Sequence, residues 1–190
     1  MFVTNVLSSH YPGSQTQELL NHFTAQLDRL GHEHTTYDLY QSDFNPIMHG
    51  DDFNQFFGKP LPEDVTAIHE TLKKSAALTF FYPVWWNGMP AIMKGWVDRV
   101  FARGFAYDYG PEGTRGMLEL EKVILVCSLG NKKEDVDPRL EDAMRLIQEV
   151  GVFNFCGVKD VSQIFLYNSS GSPEIKQACM DQLVELADAL

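Results

Sequence analysis

The stretch AALTFFYPVWWNGMPAIMKGWVDRV, residues 76–100, carries a strand, a loop and a helix in immediate succession. Ala76 to Tyr82 is apolar without alternation, as expected of a strand covered on both faces. Met89, Ile92, Met93, Trp96, Val97 and Val100 then recur at helical spacing, with Lys94 and Asp98 four apart on the opposite side. No charge falls between Lys74 and Lys94, an interval of roughly the length of a membrane-spanning helix. Pro83, Asn87, Gly88 and Pro90 interrupt it, so strand, loop and helix account for the interval and no membrane span is expected.

The same alternation continues in both directions. Upstream, Phe2 to Leu7 is β-rich, and Leu19, Leu20, Phe23, Leu27 and Leu30 mark a helix closed by Gly31. Glu33 to Leu39 reads as a second strand, Tyr40 to Pro60 has no clean period, and Pro62, Glu63 and Asp64 open a helix carrying Val65, Ile68 and Leu72. Downstream, Val123 to Cys127 is a strand, and Asp137-Pro138 caps a helix continued by Leu140, Met144 and Ile147. Val161 to Tyr167 is the last strand, and Ser172-Pro173-Glu174 starts a helix lined by Ile175, Cys179, Leu183 and Leu186. The glycine-rich Gly110 to Gly116 lacks nucleotide-fingerprint spacing and reads as a mobile surface loop. Five strands alternating with five helices predict one α/β domain over residues 1–190. The expected architecture is a flavodoxin-like doubly wound sheet of five parallel strands in the order 2-1-3-4-5, with helices on both faces.

Composition bounds the partners. Fifteen basic against 26 acidic side chains leave a formal charge of −11 in 190 residues, which argues against a broad basic face for nucleic acid or anionic lipid. A 44% hydrophobic content supports a real core and excludes disorder. Cys127, Cys156 and Cys179 show no metal-ligand spacing and read as buried thiols of a reducing compartment. The N-terminus has no cationic start or secretory run, so a cytoplasmic protein is expected.

Ligands of such sheets bind beyond the carboxyl ends of the strands, where strand order reverses. The first loop there, Ser8 to Thr16, is hydroxyl-rich, and Ser14 with Gln17 forms a capping box that turns helix-start amides towards it. Alone, it reads as an ordinary capped helix sooner than as a phosphate seat. The second, Pro83, Val84, Trp85, Trp86, Asn87 and Gly88, offers aromatic bodies and exposed backbone to a flat ring, or else seals the end of the sheet. The third, Ser128, Leu129, Gly130 and Asn131, follows the neighbouring strand. Together they describe a ligand that is part phosphate and part planar heterocycle, which flavin mononucleotide fits.

Residues 83–109, PVWWNGMPAIMKGWVDRVFARGFAYDY, closely resemble the signature of the NAD(P)H quinone reductase family with the flavodoxin-like fold. That family includes bacterial quinone reductases and the ancillary reductases of potassium efflux systems. DLYQSDFNPIM (38–48) and FCGV (155–158) resemble its patterns elsewhere, so the likeness spans nearly the whole chain. The resemblance implies a homodimer with the active site at the subunit interface. It also implies a bound flavin and ping-pong hydride transfer from NADPH or NADH to a quinone, an azo dye or a nitroaromatic; the compact chain, with no evident extra region for an adenine, favours FMN, with FAD as the alternative. By the same resemblance, Ser9, His10, Ser14, Gln15 and Thr16 take the phosphate end. Residues 83–88 and 128–131 take the ring, and Tyr107 and Tyr109 lie over the substrate pocket as proton donors. The tyrosine and histidine that mammalian-type relatives place after the second ring loop are missing, since every histidine lies at or before His69. Lys132 and Lys133 stand there instead, beside Glu134 and Asp135 in a solvated approach to the next helix. Arg99 and Arg103 are candidates for the 2′-phosphate of NADPH or for ordinary ion pairs. Two other readings remain open: a flavodoxin-type electron carrier, which is also acidic, and a flavin-binding regulatory subunit of a transporter.

Overall fold

A computed structural model describes residues 1–190. Strands β1 (Phe2–Leu7), β2 (Glu33–Asp38), β3 (Ala77–Pro83), β4 (Tyr107–Gly110), β5 (Gly113–Gly116), β6 (Lys122–Ser128) and β7 (Asp160–Leu166) alternate with helices. These are α1 (Gln15–Arg29), α2 (Glu63–Leu72), α3 (Ala91–Val100), α4 (Pro138–Arg145) and α5 (Pro173–Asp188). Five strands form one all-parallel sheet in the order β2-β1-β3-β6-β7, which is the 2-1-3-4-5 order expected. No helix is long and apolar enough to cross a membrane.

The apolar run of β3 is buried from Ala77 to Tyr82 because it lies between β1 and β6 with helices above and below. On one face Val3, Leu7, Phe81, Ile124 and Val126 meet Leu19, Phe23 and Leu27 of α1 and Leu183 of α5. On the other, Val6, Phe80, Tyr82 and Leu125 meet Ile68 of α2, Met93 and Trp96 of α3, and Phe153. The three cysteines are buried and unpaired, and burial pushes the Cys127 thiol up to about 11, which keeps it protonated.

Three segments depart from expectation. Gly110 to Gly116 is a β-hairpin turn and strand rather than a surface loop, since β4 and β5 pair antiparallel. Its exit is fixed: a Cβ on Gly116 would lie 2.1 Å from the Gly157 nitrogen, and Leu118 N–H donates to Cys156 O. Within the aperiodic Tyr40–Pro60 stretch, Gly50–Phe57 forms a 3₁₀ helix whose start is held by Asp52 Oδ2 accepting from His49 N–H. The helix after Asp137 does not continue regularly through Ile147. It passes into a π-helix at Leu146–Asn154, and the wider turn leaves Leu146 and Ile147 more than 60% exposed while Gln148 points inward.

The 3₁₀ segment is tied to α3 through Arg99. Its guanidinium donates to both oxygens of Asp52, to both oxygens of Asp64 and to Asn45 O, and Arg99 and Asp52 are each only 3% exposed. The Arg99 hydrogen bonds hold the Asp64 carboxyl below its usual value against the smaller opposing effect of burial. One turn earlier, Gly95 lets the Pro46 backbone rest on α3, and a Cβ there would meet Pro46 O at 2.2 Å.

Two outcomes follow. Gly95→Ala, which in a free helix gains about 1 kcal/mol, should destabilise this protein by about 1–3 kcal/mol in urea unfolding, because the methyl displaces residues 45–48. His69 is buried, stacks on Phe105 at 3.6 Å and donates through Nε2 to Val100 O. Burial lowers its pKa below the ordinary 6.5. The unfolded chain therefore binds that proton more readily, so the stability from neutral His69 is complete above pH 6.5 and is lost as pH falls through the folded value. Its slope reaches at most about 1.4 kcal/mol per pH unit. Urea midpoints between pH 7.5 and 5.5 should fall less steeply in His69→Gln than in the wild type.

Candidate active site

The carboxyl ends of β1, β3 and β6 bring three loops together. Ser8 N–H donates to Phe81 O, and Val84 N–H to Ser128 O, so each loop leaves the sheet in register with its neighbour. Thr16 and Ser128 share a hydroxyl hydrogen bond of 3.0 Å, joining the first turn of α1 to the third loop. The ring of His10 packs edge-on against Trp85, 5.2 Å between centroids, joining the first loop to the second.

In the first loop Ser14 caps α1 by accepting from Gln17 N–H, while Gln17 Oε1 accepts from Gly13 N–H, one residue before the expected reciprocal bond. Ser9 and Ser14 hydroxyls lie 2.6 Å apart, both buried. The first-turn N–H groups of α1 have no intrahelical partner and carry the positive end of its dipole. Two further side-chain atoms in this loop are buried without a partner, Ser8 Oγ and Gln15 Nε2. An unpaired buried donor is costly, so a cluster of them around a capped helix start fits a phosphate that accepts from all of them.

The second loop is a tight reversal. Trp85 and Gly88 exchange both backbone hydrogen bonds at 3.1 Å, and Trp86 and Asn87 between them take φ values of 50° and 56°. Two successive positive φ values match the primed turn that asparagine and glycine favour, and a tryptophan there is strained. Trp86 is 100% exposed and Trp85 40%, so they do not seal the sheet. The N–H groups of Trp86, Asn87, Gly130 and Asn131 make no hydrogen bond within the chain, leaving a row of donors for the polar edge of a flat heterocycle. Ser128 and Leu129 of the third loop are buried, while Gly130 and Asn131 are exposed. This donor set, hydroxyls and amides without a cation, fits a flavin phosphate and isoalloxazine edge. Ser9, Ser14, Gln15 and Thr16 would hold the phosphate, and residues 85–88 and 128–131 the ring.

Tyr107 and Tyr109 lie elsewhere. They are on the hairpin, 5.6 Å apart edge to face, and Tyr107 packs on the 46% exposed Phe155. No hydrogen bond or ring contact links them to the three loops. Burial, reinforced by Tyr109, raises the Tyr107 pKa. Arg103 donates to Asp108 and stands over the rings of Phe56 and Tyr109. Arg99 is committed to Asp52 and Asp64 and cannot serve a 2′-phosphate, nor is it a solvated ion-pair partner. Lys132 and Lys133 are exposed.

Four residues contribute beyond the expected set. Ser8, which opens the hydroxyl-rich loop, adds its buried unpartnered Oγ. Phe155 completes the tyrosine cluster, and its signal was the FCGV segment. Asn168 and Ser169 brace the third loop by donating to Asn131 O and Leu129 O, and the turn signal Asn-Ser-Ser-Gly marked the place.

A family model described as flavodoxin-like fold matches residues 3–190. An uncharacterized NAD(P)H oxidoreductase of Haemophilus influenzae is 34% identical over 129 residues, 65% of this chain and 62% of that protein. NAD(P)H dehydrogenase (quinone) 1 of Rattus norvegicus is 27% identical over 169 residues, 77% of this chain and 61% of its own. The matches thus span about three fifths of the length of these curated relatives. The solved structure of an NAD(P)H:quinone oxidoreductase from Methanothermobacter marburgensis superposes with a TM-score of 0.90 at 30% identity, covering 98% of this chain and 97% of that one.

Because Trp86 buries nothing and its left-handed backbone is strained, Trp86→Gly should raise stability by about 1 kcal/mol in urea unfolding while weakening flavin retention.

Proposed function

The chain belongs to the flavodoxin-like fold family, and from that premise we propose that it is a flavin-dependent NAD(P)H oxidoreductase that passes a hydride to quinones or similar planar acceptors. The observation that carries this reading is the convergence of a capped helix start, with its unpartnered Ser8 Oγ, and a strained aromatic turn across the Thr16–Ser128 bond. The names of the similar proteins support the same reaction class.

A bound flavin, FMN in our reading, supplies the two-electron chemistry; the protein supplies position and field. The α1 amides with Ser9, Ser14 and Thr16 fix the phosphate end. Backbone donors at 86–87 and 130–131 meet charge at the ring edge in place of a histidine. Reaction then depends on bringing the nicotinamide and the acceptor in turn to within roughly 3–3.5 Å of the reacting atom.

The aromatic cluster of Tyr107, Tyr109 and Phe155 makes no hydrogen bond or ring pair with the three loops of its own chain. Our reading therefore places it over the crevice of a second subunit in a homodimer. Exposed Phe53, Phe56, Phe57, Leu146, Ile147 and Val150 supply apolar area for such pairing. The proposed location is the cytoplasm, where the three thiols stay reduced.

The test is a visible spectrum of the purified protein, mass identification of whatever denaturation releases, and turnover of NADPH or NADH with a quinone and no partner protein. Rapid turnover by a yellow homodimer is expected. A colourless protein that takes up neither FMN nor FAD would sink the reading, and turnover that requires a partner protein would favour an electron carrier.

A further inference from the structure

Directly beneath the second and third loops lies a closed ring of four buried polar side chains. Tyr82 and Cys127 are register partners in β3 and β6, and the next pair in register, Pro83 and Ser128, begins the two loops. Tyr82 Oη donates to Gln148 Oε1 at 2.5 Å, and Cys127 Sγ donates to Tyr82 Oη at 3.1 Å. Gln163 Nε2 closes the ring by donating to Gln148 Oε1 at 3.0 Å and to Cys127 Sγ at 3.4 Å. All four residues are buried, Tyr82 and Cys127 completely. Burial keeps the phenol and the thiol in their protonated, donating forms.

As a device for stabilising a core this ring is a poor one. Gln163 Oε1 is buried without a partner, and a half-satisfied polar network holds a core less well than apolar side chains of the same volume. Gln148 reaches the interior through the π-helix, which leaves Leu146 and Ile147 in solvent. π-Helical turns are rare and gather at functional sites. What the ring does that apolar packing cannot is fix direction, because a hydrogen bond sets both distance and angle. It joins β3, β6, β7 and the π-helix at the level where the two loops leave the sheet. Ser128 carries the connection into the loops, its Oγ lying 3.4 Å from Tyr82 O and 3.0 Å from Thr16 Oγ1.

We infer that Gln148 is a positioning residue of the flavin site: it holds Tyr82, and through Tyr82 it sets the spacing of the loops at 83–88 and 128–131. Gln148 Oε1 bonds only within the ring and to neither loop. Its effect reaches the free N–H groups of Trp86, Asn87, Gly130 and Asn131 by fixing where their strands end. The inference deepens the flavin-dependent function proposed above and rests on it for the identity of the ligand.

Two variants separate position from stability. Gln148→Met removes the acceptor and leaves the Tyr82 hydroxyl unpaired, so it should lower the urea midpoint and weaken FMN binding. Tyr82→Phe/Gln148→Met removes both ends of the bond, and with no hydroxyl left unpaired the urea midpoint should return most of the way to the wild-type value. FMN affinity should not return with it. By fluorescence titration it is expected to stay about tenfold weaker than wild type in both variants, since neither keeps the directed bond. Affinity that recovers together with stability in the double variant, or that never falls, overturns the inference. A second measurement needs no flavin: in flavin-free protein the backbone amide NMR signals of residues 85–88 and 129–131 should shift in both variants by more than those of Gly13 and Ser14. Loop signals that move no more than these also overturn it. The double variant carries both measurements by itself should the single one not fold. Shifted loop signals in a protein that takes up neither FMN nor FAD would support the hold of Gln148 on the loops and reject the flavin-dependent function.

Discussion

All five strands of the main sheet run the same way, so the chain cannot turn back by a hairpin and must cross the sheet before each new pairing. That single constraint delivers five carboxyl ends to one edge. It buries β3 on both faces, and it places the loops after β1 and β3 side by side where the order of strands reverses. The amino-terminal edge, where a separate cleft of about 260 Å³ opens among Leu72, Phe105, Met117 and Leu118, has no comparable gathering of free donors. The site follows from the direction of the strands before any side chain is considered.

The parts of the molecule governed by that constraint were the legible ones. Strand limits fall within a residue or two of the expected ones, and for β1, β3 and β6 the reason is that burial on both faces forces those runs to be apolar. The caps at Ser14 and Asp137 are visible for a similar reason, since a local hydrogen bond requires a particular residue type. The hairpin was missed because β4 and β5 read YDYG and GTRG, with glycines and charges that carry no strand pattern and a pairing held by Gly116 against Gly157. The π-helix escaped because one extra residue per turn leaves composition unchanged while rotating Ile147 outward and Gln148 inward. In the site, residue identities were readable from the loops. The left-handed backbone at Trp86 and Asn87 was not, because it is imposed by the Trp85–Gly88 bridge against local preference. The separation of Tyr107 and Tyr109 from the loops was equally hidden, because it depends on where the hairpin docks.

The charge of −11 also takes on a definite meaning. The proposed phosphate seat is made of amides and hydroxyls, and most of the arginines are occupied by the chain's own carboxylates, Arg99 most completely. A buried ion cluster of that kind gains little net stability over an apolar substitute. Its geometric effect is larger: Asn45, Asp52 and Asp64 converge on one planar group, which fixes the path of residues 45–57 across α3. Attraction of anionic ligands is therefore local to the crevice and does not extend over the surface.

The contact between Gly116 and Gly157 is made by backbone alone, and it sets where the hairpin sits relative to the end of the π-helix. The frame that carries Tyr107, Tyr109 and Phe155 thus owes its position to residues without side chains, while the aromatics project from it at exposed or half-exposed sites. Replacing those aromatics alters the surface they present without disturbing the frame. Gly116, by contrast, cannot take a side chain without moving the frame. A fold arranged in this way lets the exposed aromatic surface drift over evolutionary time while the crevice on the sheet edge stays as it is.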